Sequence, residues 1–164
     1  MSAAHEPLPP AAQRVQDALV AQGRTYVVRQ LDRSTRTAAE AADAVGCLIG
    51  QIAKSLVFRG QDSGRPVLVI ACGANRVSEA RLAALLGEPV VKATPEFVRE
   101  TTGFAIGGVP PLGHATPLPV YIDEDLLRYD AVWAAAGTPH ALFRLPPADL
   151  AVLTAGEVAT LRAG

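Results

Sequence analysis

Apolar residues recur along this chain at two spacings, and the spacing changes from segment to segment. In 11–22, Val15, Ala18 and Leu19 form one stripe, which predicts a helix ended by Gly23. Tyr26–Gln30, rich in Val and Tyr, reads as a strand. Thr37-Ala-Ala-Glu40 is a capping-box pattern that opens a short helix stopping near Gly46. Gln51–Arg59 alternates as a strand, although its first residues also fit a helical turn. Arg65–Cys72 is a second strand, and Asp62-Ser63-Gly64 turns the pair into a hairpin. Ser78 caps a helix through Leu86 that Gly87 closes, and Val90–Ala93 is a short strand. Thr94 as N-cap and Pro95 at the first helical position start another helix, ended by Gly103. Residues 107–119 hold four prolines among glycines and a histidine and predict no regular structure. Val120–Ile122, Ala131–Ala135 and Ala141–Leu145 read as strands, the last two joined at Gly137-Thr138-Pro139. Two helical starts come after them, Pro146–Leu150 and Thr154–Leu161, the second resting on a capping box at Thr154 and Glu157.

Strands gathered in hairpins and mixed with helices, without a steady βαβ rhythm, predict an α+β (mixed α/β) single domain. Its sheet should be mixed or mostly antiparallel, flanked by short helices. Residues 1–10 read as a flexible tail and 11–164 as the domain. The 164 residues suffice for a core without staples, and aromatics at 5% leave Ala, Val and Leu to fill it. No basic-apolar leader starts the chain and no apolar run spans a bilayer, so a cytoplasmic protein is expected. Cys47 and Cys72 are too few for a metal cluster and read as reduced thiols. Lys and Arg number 15 against 16 Asp and Glu, a net charge of −1. That balance argues against a general nucleic-acid binder. Any contact with nucleic acid should use a local patch. Arg29, Arg33 and Arg36 form the densest basic cluster, with ordinary solvated arginines as the plainer reading.

Two stretches draw attention for chemistry. On the strand over 51–59, Ile52, Lys54, Leu56 and Phe58 share a face, so a lysine interrupts an apolar row. A charge there needs a partner or a ligand, unless the stem packs and the ammonium reaches water at a sheet edge. The second stretch is Ile106-Gly-Gly-Val-Pro-Pro-Leu-Gly-His114. Gly107 and Gly108 permit positive φ, and Pro110 and Pro111 stiffen the backbone after them. A rigid loop with exposed N–H groups suits a carbonyl or oxyanion, and equally suits a structural turn. It is neither a P-loop nor G-x-G-x-x-G. His114 and His140 are candidate general bases, and Asp130 is a candidate partner for one. Asp123-Glu124-Asp125 fits an acidic helix start better than a metal site. No G-x-S-x-G nucleophile is present.

Together, Gln51-Ile-Ala-Lys-Ser-Leu-Val-Phe58, the Gly107–His114 stretch and Val132-Trp-Ala-Ala-Ala-Gly-Thr-Pro-His140 resemble the YbaK/prolyl-tRNA-synthetase-associated editing domain family over about 11–155. The resemblance implies a central, barrel-like mixed sheet and hydrolysis, in trans, of the ester of mischarged tRNA. It places the family's lysine on Lys54 and its glycine loop on Gly107–Gly113, with no metal or cofactor. Lys54, Gly107 and Gly108 are then the catalytic candidates. Tyr26, Phe58, Pro110, Gly113, His114, Thr138 and His140 are the candidate substrate contacts. The implied partners are the acceptor end of an aminoacyl-tRNA and an aminoacyl-tRNA synthetase, with neither membrane nor DNA. Alanyl- or cysteinyl-tRNA(Pro) is the expected kind of substrate. Serine follows Lys54 here, where threonine is common in relatives. The alternatives are a non-catalytic module binding tRNA or a synthetase, and a small-molecule ester or thioester hydrolase.

Overall fold

The structure is a computed structural model and describes residues 7–164. The tail expected over 1–10 therefore lies mostly outside the described residues. Helices α1 (Pro10–Ala21), α2 (Ala38–Val45), α3 (Glu79–Leu86), α4 (Pro95–Thr102) and α5 (Ala148–Thr154) surround eight strands. The strands are β1 (Arg29–Gln30), β2 (Ile52–Gly60), β3 (Pro66–Cys72), β4 (Val90–Lys92), β5 (Val120–Asp123), β6 (Val132–Ala135), β7 (Ala141–Leu145) and β8 (Glu157–Ala159).

Local signals set the helix ends. Thr37, Ser78 and Thr94 each accept a hydrogen bond from a first-turn N–H, and Gly46, Gly87 and Gly103 close the same helices in left-handed geometry. A 3-10 turn, Ile49–Gln51, leads into β2.

Two segments differ from expectation. Of Tyr26–Gln30 only Arg29 and Gln30 join the sheet, beside β7. The Gln16 side chain donates to the Tyr26 carbonyl (2.9 Å) and accepts from the Val28 N–H (2.8 Å), so these groups bond to α1 and not to a strand. The helix expected over Thr154–Leu161 is absent. Thr154 Oγ1 instead donates to the Leu150 carbonyl at 2.6 Å and accepts from Gly156 N–H at 3.0 Å, which ends α5. Glu157–Ala159 then pairs in parallel with Tyr121–Asp123. The free edge of β5, more than thirty residues away in sequence, outweighs a local capping box.

The sheet runs β1-β7-β6-β2-β3-β5-β8, with β4 also paired to β2. It is mixed, because β2/β6, β3/β5 and β5/β8 are parallel and the other pairs antiparallel. It is also open, with β1 and β8 at its ends, so the barrel-like description holds only loosely. On one face, Ala53, Val57, Leu68 and Ile70 pack with α1, α4 and α5 through Val15, Leu19, Val98 and Leu150. The opposite face carries two separate clusters. One holds Phe58, Val69 and Leu82, with Leu56 against it, and the other holds Ala41, Ile52, Trp133 and Leu142. Lys54 lies on this face between Ile52 and Leu56, where the two clusters part.

Candidate active site

β2 is fully paired on one edge only. Along that edge Ala53–Arg59 match Cys72–Pro66 of β3. On the other edge, Ile52 and Ala53 pair with β6, and Phe58–Gly60 pair with β4. Among the described residues, no strand neighbours 54–57 there. Gly60 N–H bonds to the Arg65 carbonyl and Gly73 N–H to the Ile52 carbonyl, so even-numbered residues of β2 turn their amides towards β3. Odd-numbered residues, Ser55 among them, turn theirs towards the gap. A cleft of about 980 Å³ opens at this break.

Four cations line the cleft, Arg36, Lys54, Arg76 and Lys92, against one carboxylate, Glu79. A chain of net charge −1 thus concentrates positive charge in one place. Lys54 is half-buried, and its ammonium makes no hydrogen bond or ion pair among the described residues. Of the expected basic cluster only Arg36 lines the cleft. Arg33 pairs with Asp43, and Arg29 lies 5.4 Å over the Trp133 ring. Arg76 and Lys92 carry no sequence signal, being isolated cations that the β3–α3 connection and the end of β4 bring to the cleft.

The glycine loop forms the facing wall. Gly107 lines the cleft at φ +91°, and a Cβ there would sit 2.7 Å from Arg36 Cγ. Gly108 is buried behind it. Its N–H donates to the Ala105 carbonyl (3.1 Å), and its carbonyl accepts from Gly137 N–H (2.9 Å). The two expected amide donors are therefore not equivalent, since only Gly107 keeps an N–H without an acceptor among the described residues. Thr138 backs the loop. Its neighbour Pro139 accepts from Thr35 N–H at 2.6 Å, and the His140 carbonyl accepts from Leu31 N–H at 2.7 Å. One turn thus clamps both the glycine loop and the segment leading to Arg36.

The family model for the aminoacyl-tRNA editing domain matches residues 32–153. The chain belongs to this family. The match takes in Arg36, all of β2, the glycine loop and the 137–140 turn. Among its relatives is the uncharacterized protein YwhH of Bacillus subtilis, 32% identical over 80% of this chain and 83% of that protein. Another is Enterococcus faecalis EbsC, named "Putative Cys-tRNA(Pro)/Cys-tRNA(Cys) deacylase", 29% identical over 76% of each chain. A crystal structure described as a "putative trans-editing enzyme for prolyl tRNA synthetase" superposes with a TM-score of 0.91 at 55% identity, covering 96% of this chain and 100% of that one.

Within this editing domain the other expected contacts separate. Phe58 lines the cleft and is buried. Tyr26 does not line it; its hydroxyl donates to Asp149 and its ring stacks on Phe143 at 6.4 Å. Pro110 is buried behind the loop. Gly113 and His114 line a separate cavity of about 250 Å³. Thr138 and His140 support the wall from behind, His140 Nδ1 donating to the Arg33 carbonyl at 2.9 Å. Asp130 is exposed and outside the cleft.

His114 Nε2 lies 2.7 Å from the Pro110 carbonyl, which only accepts, so this nitrogen carries the proton. Burial pushes the imidazole pKa below its usual 6.5, with the carbonyl bond opposing in part. Well above pH 6.5 the folded and unfolded states are both neutral at this site. Below it the unfolded chain takes up a proton that the folded site resists, so stability falls as the pH drops through the window under 6.5. His114→Gln should flatten this part of the profile, read from urea midpoints at about pH 7.5 and about pH 5.5.

Asn75, also on the cleft wall, was missed by sequence reasoning. Its Nδ2 donates to Asp123 Oδ2 (3.0 Å) and Asp125 Oδ2 (2.7 Å), carboxylates that are 1% and 7% exposed. Asp123 also accepts from Cys72 and Asp125 N–H groups, as expected of an acidic turn start. Asn75 therefore ties the Arg76 segment to the ends of β3 and β5. Asn75→Ala leaves two buried acceptors without their shared donor and should cost about 1–3 kcal/mol in urea denaturation.

Proposed function

We propose that this editing domain is a free-standing, trans-acting aminoacyl-tRNA deacylase that hydrolyses the ester of mischarged tRNA, of the alanyl- or cysteinyl-tRNA(Pro) kind. The observation that carries this reading is the unpartnered Lys54 ammonium in a cation-lined cleft, with the free Gly107 amide on the wall opposite β2. An aminoacyl ester is already activated, so a placed water and stabilisation of the developing oxyanion suffice. Gly107 N–H supplies a fixed donor for that oxygen. Lys54 neutralises charge at the ester or holds the terminal ribose and phosphate. It acts through position and charge, not as a covalent nucleophile. Arg36, Arg76 and Lys92 suit the few phosphates of an acceptor end. The relatives named for Cys-tRNA(Pro) and for prolyl-tRNA synthetase support this substrate and partner class.

The test is deacylation of a panel led by alanyl- and cysteinyl-tRNA(Pro). Multiple turnover of one ester with correctly charged prolyl-tRNA spared is the expected result. Binding of these tRNAs by folded protein without release of the amino acid would replace the enzyme reading with a tRNA-binding module.

A further inference from the structure

Buried polar atoms nearly always find a partner, in the protein, in ordered water or in a ligand. Among the described residues three buried side-chain atoms have none: Arg24 Nε, Thr35 Oγ1 and Ser55 Oγ. Arg24 sits 3.5 Å from the Asp149 carboxylate, away from the cleft. Thr35 and Ser55 both line the cleft.

The surroundings of Ser55 define what it meets. Neighbouring strand residues point to opposite faces, so Ser55 faces away from Lys54. Ala53 and Val57, on its own face, belong to the core with Val98 and Val109, and Ala93 packs against them. All five line the cleft. The cleft thus passes from a cationic mouth, through the break beside β2, to short apolar walls carrying one hydroxyl. Lys54 and Gly107 hold the reacting ester in the reading above, and this chamber is where a small aminoacyl side chain fits.

We infer that Ser55 is a specificity-determining residue whose hydroxyl bonds a hydroxyl or thiol at the end of the aminoacyl side chain, which makes seryl- or cysteinyl-type esters the preferred substrates over alanyl. This rests on the deacylase reading and narrows it. A serine hydroxyl both donates and accepts, and so does the group it would meet. A bare methyl leaves Ser55 unpaired in the complex, and a site built around a hydrogen bond rejects the analogue lacking it.

The experiment compares seryl, cysteinyl and alanyl esters of one tRNA(Pro) transcript, with wild type and Ser55→Ala. Wild type should favour the seryl over the alanyl ester by about tenfold in kcat/KM, the effect of one neutral hydrogen bond, and Ser55→Ala should erase that ratio. Its Tm should stay level or rise by roughly 2 °C, because the substitution removes an unpaired buried hydroxyl. A purely structural serine would instead lower Tm and reduce all three activities together, which overturns the inference. So does an unchanged seryl-to-alanyl ratio in a variant that still turns over. Failure of folded wild type on every ester sinks the deacylase reading itself, and the inference with it.

Discussion

Lys54→Met is expected to fold like the wild type and to lose roughly 10²–10³-fold in kcat, the usual scale when one preorganised electrostatic group is removed from a reacting carbonyl. Methionine keeps the apolar stem that sits between Ile52 and Leu56 and deletes only the charge. The ammonium has no carboxylate partner among the described residues, so its removal strands no buried anion and stability should change little. A lysine whose role was structural would behave the opposite way, with lowered Tm and retained turnover. Lys54→Arg tests geometry separately. A planar guanidinium in a site shaped for a point charge should restore only part of the rate. Single-turnover deacylation measures the chemical step free of product release, and thermal melts report the fold. Wild-type single-turnover rates from folded Lys54→Met would remove Lys54 from the mechanism.

Gly108→Ala should be the most damaging single methyl in the glycine loop. Its Cβ would lie 2.9 Å from each of the N, Cα and C atoms of Thr138. These are main-chain atoms, and their turn is tied to Leu31 and Thr35 through His140 and Pro139. Nothing there can swing aside, so the loop itself must move. We expect a loss of about 1–3 kcal/mol in stability, as for an overpacked core site. Turnover should fall at least about tenfold, since the proposed oxyanion donor, Gly107 N–H, moves with the loop and a displacement of about 1 Å there is costly. Gly107→Ala makes a useful contrast. Its Cβ meets the flexible Arg36 side chain, which can yield, and the methyl also has to accept φ +91°. The stability loss should be smaller and the effect on KM larger, because Arg36 lines the cleft. Equal melting temperatures for Gly108→Ala and wild type would show that the loop does not rest on Thr138 as described.

The contrast between these two glycines shows how far the sequence reaches. The pair was legible as a rigid loop with free amides, but which amide is free depends on Ala105 and on the 137–138 turn. Helix ends were legible because each signal acts within four residues: Thr37, Ser78 and Thr94 accept from the Glu40, Arg81 and Phe97 N–H groups, and Gly46, Gly87 and Gly103 donate to the Ala42, Ala83 and Arg99 carbonyls. The β2–β3 hairpin was legible for the same reason, as was Lys54, the one charge in an apolar row. The sequence by itself therefore determined most element types, Thr154–Leu161 excepted, and the mixed α/β class, and it singled out Lys54, which the fold places on the cleft wall. Tertiary structure decided the rest. Gln16 took Tyr26 and Val28 out of the sheet, and the open edge of β5 made a strand of Glu157–Ala159. Pairing of Ile52 with Trp133 on one side and of Phe58 with Lys92 on the other opened the gap that Lys54 and Ser55 border. It was folding, too, that gathered Arg36, Arg76 and Lys92 and set Tyr26 and His114 apart. Each of these outcomes depends on groups tens of residues apart competing for the same hydrogen bonds and the same buried surface, and local spacing carries no record of that competition.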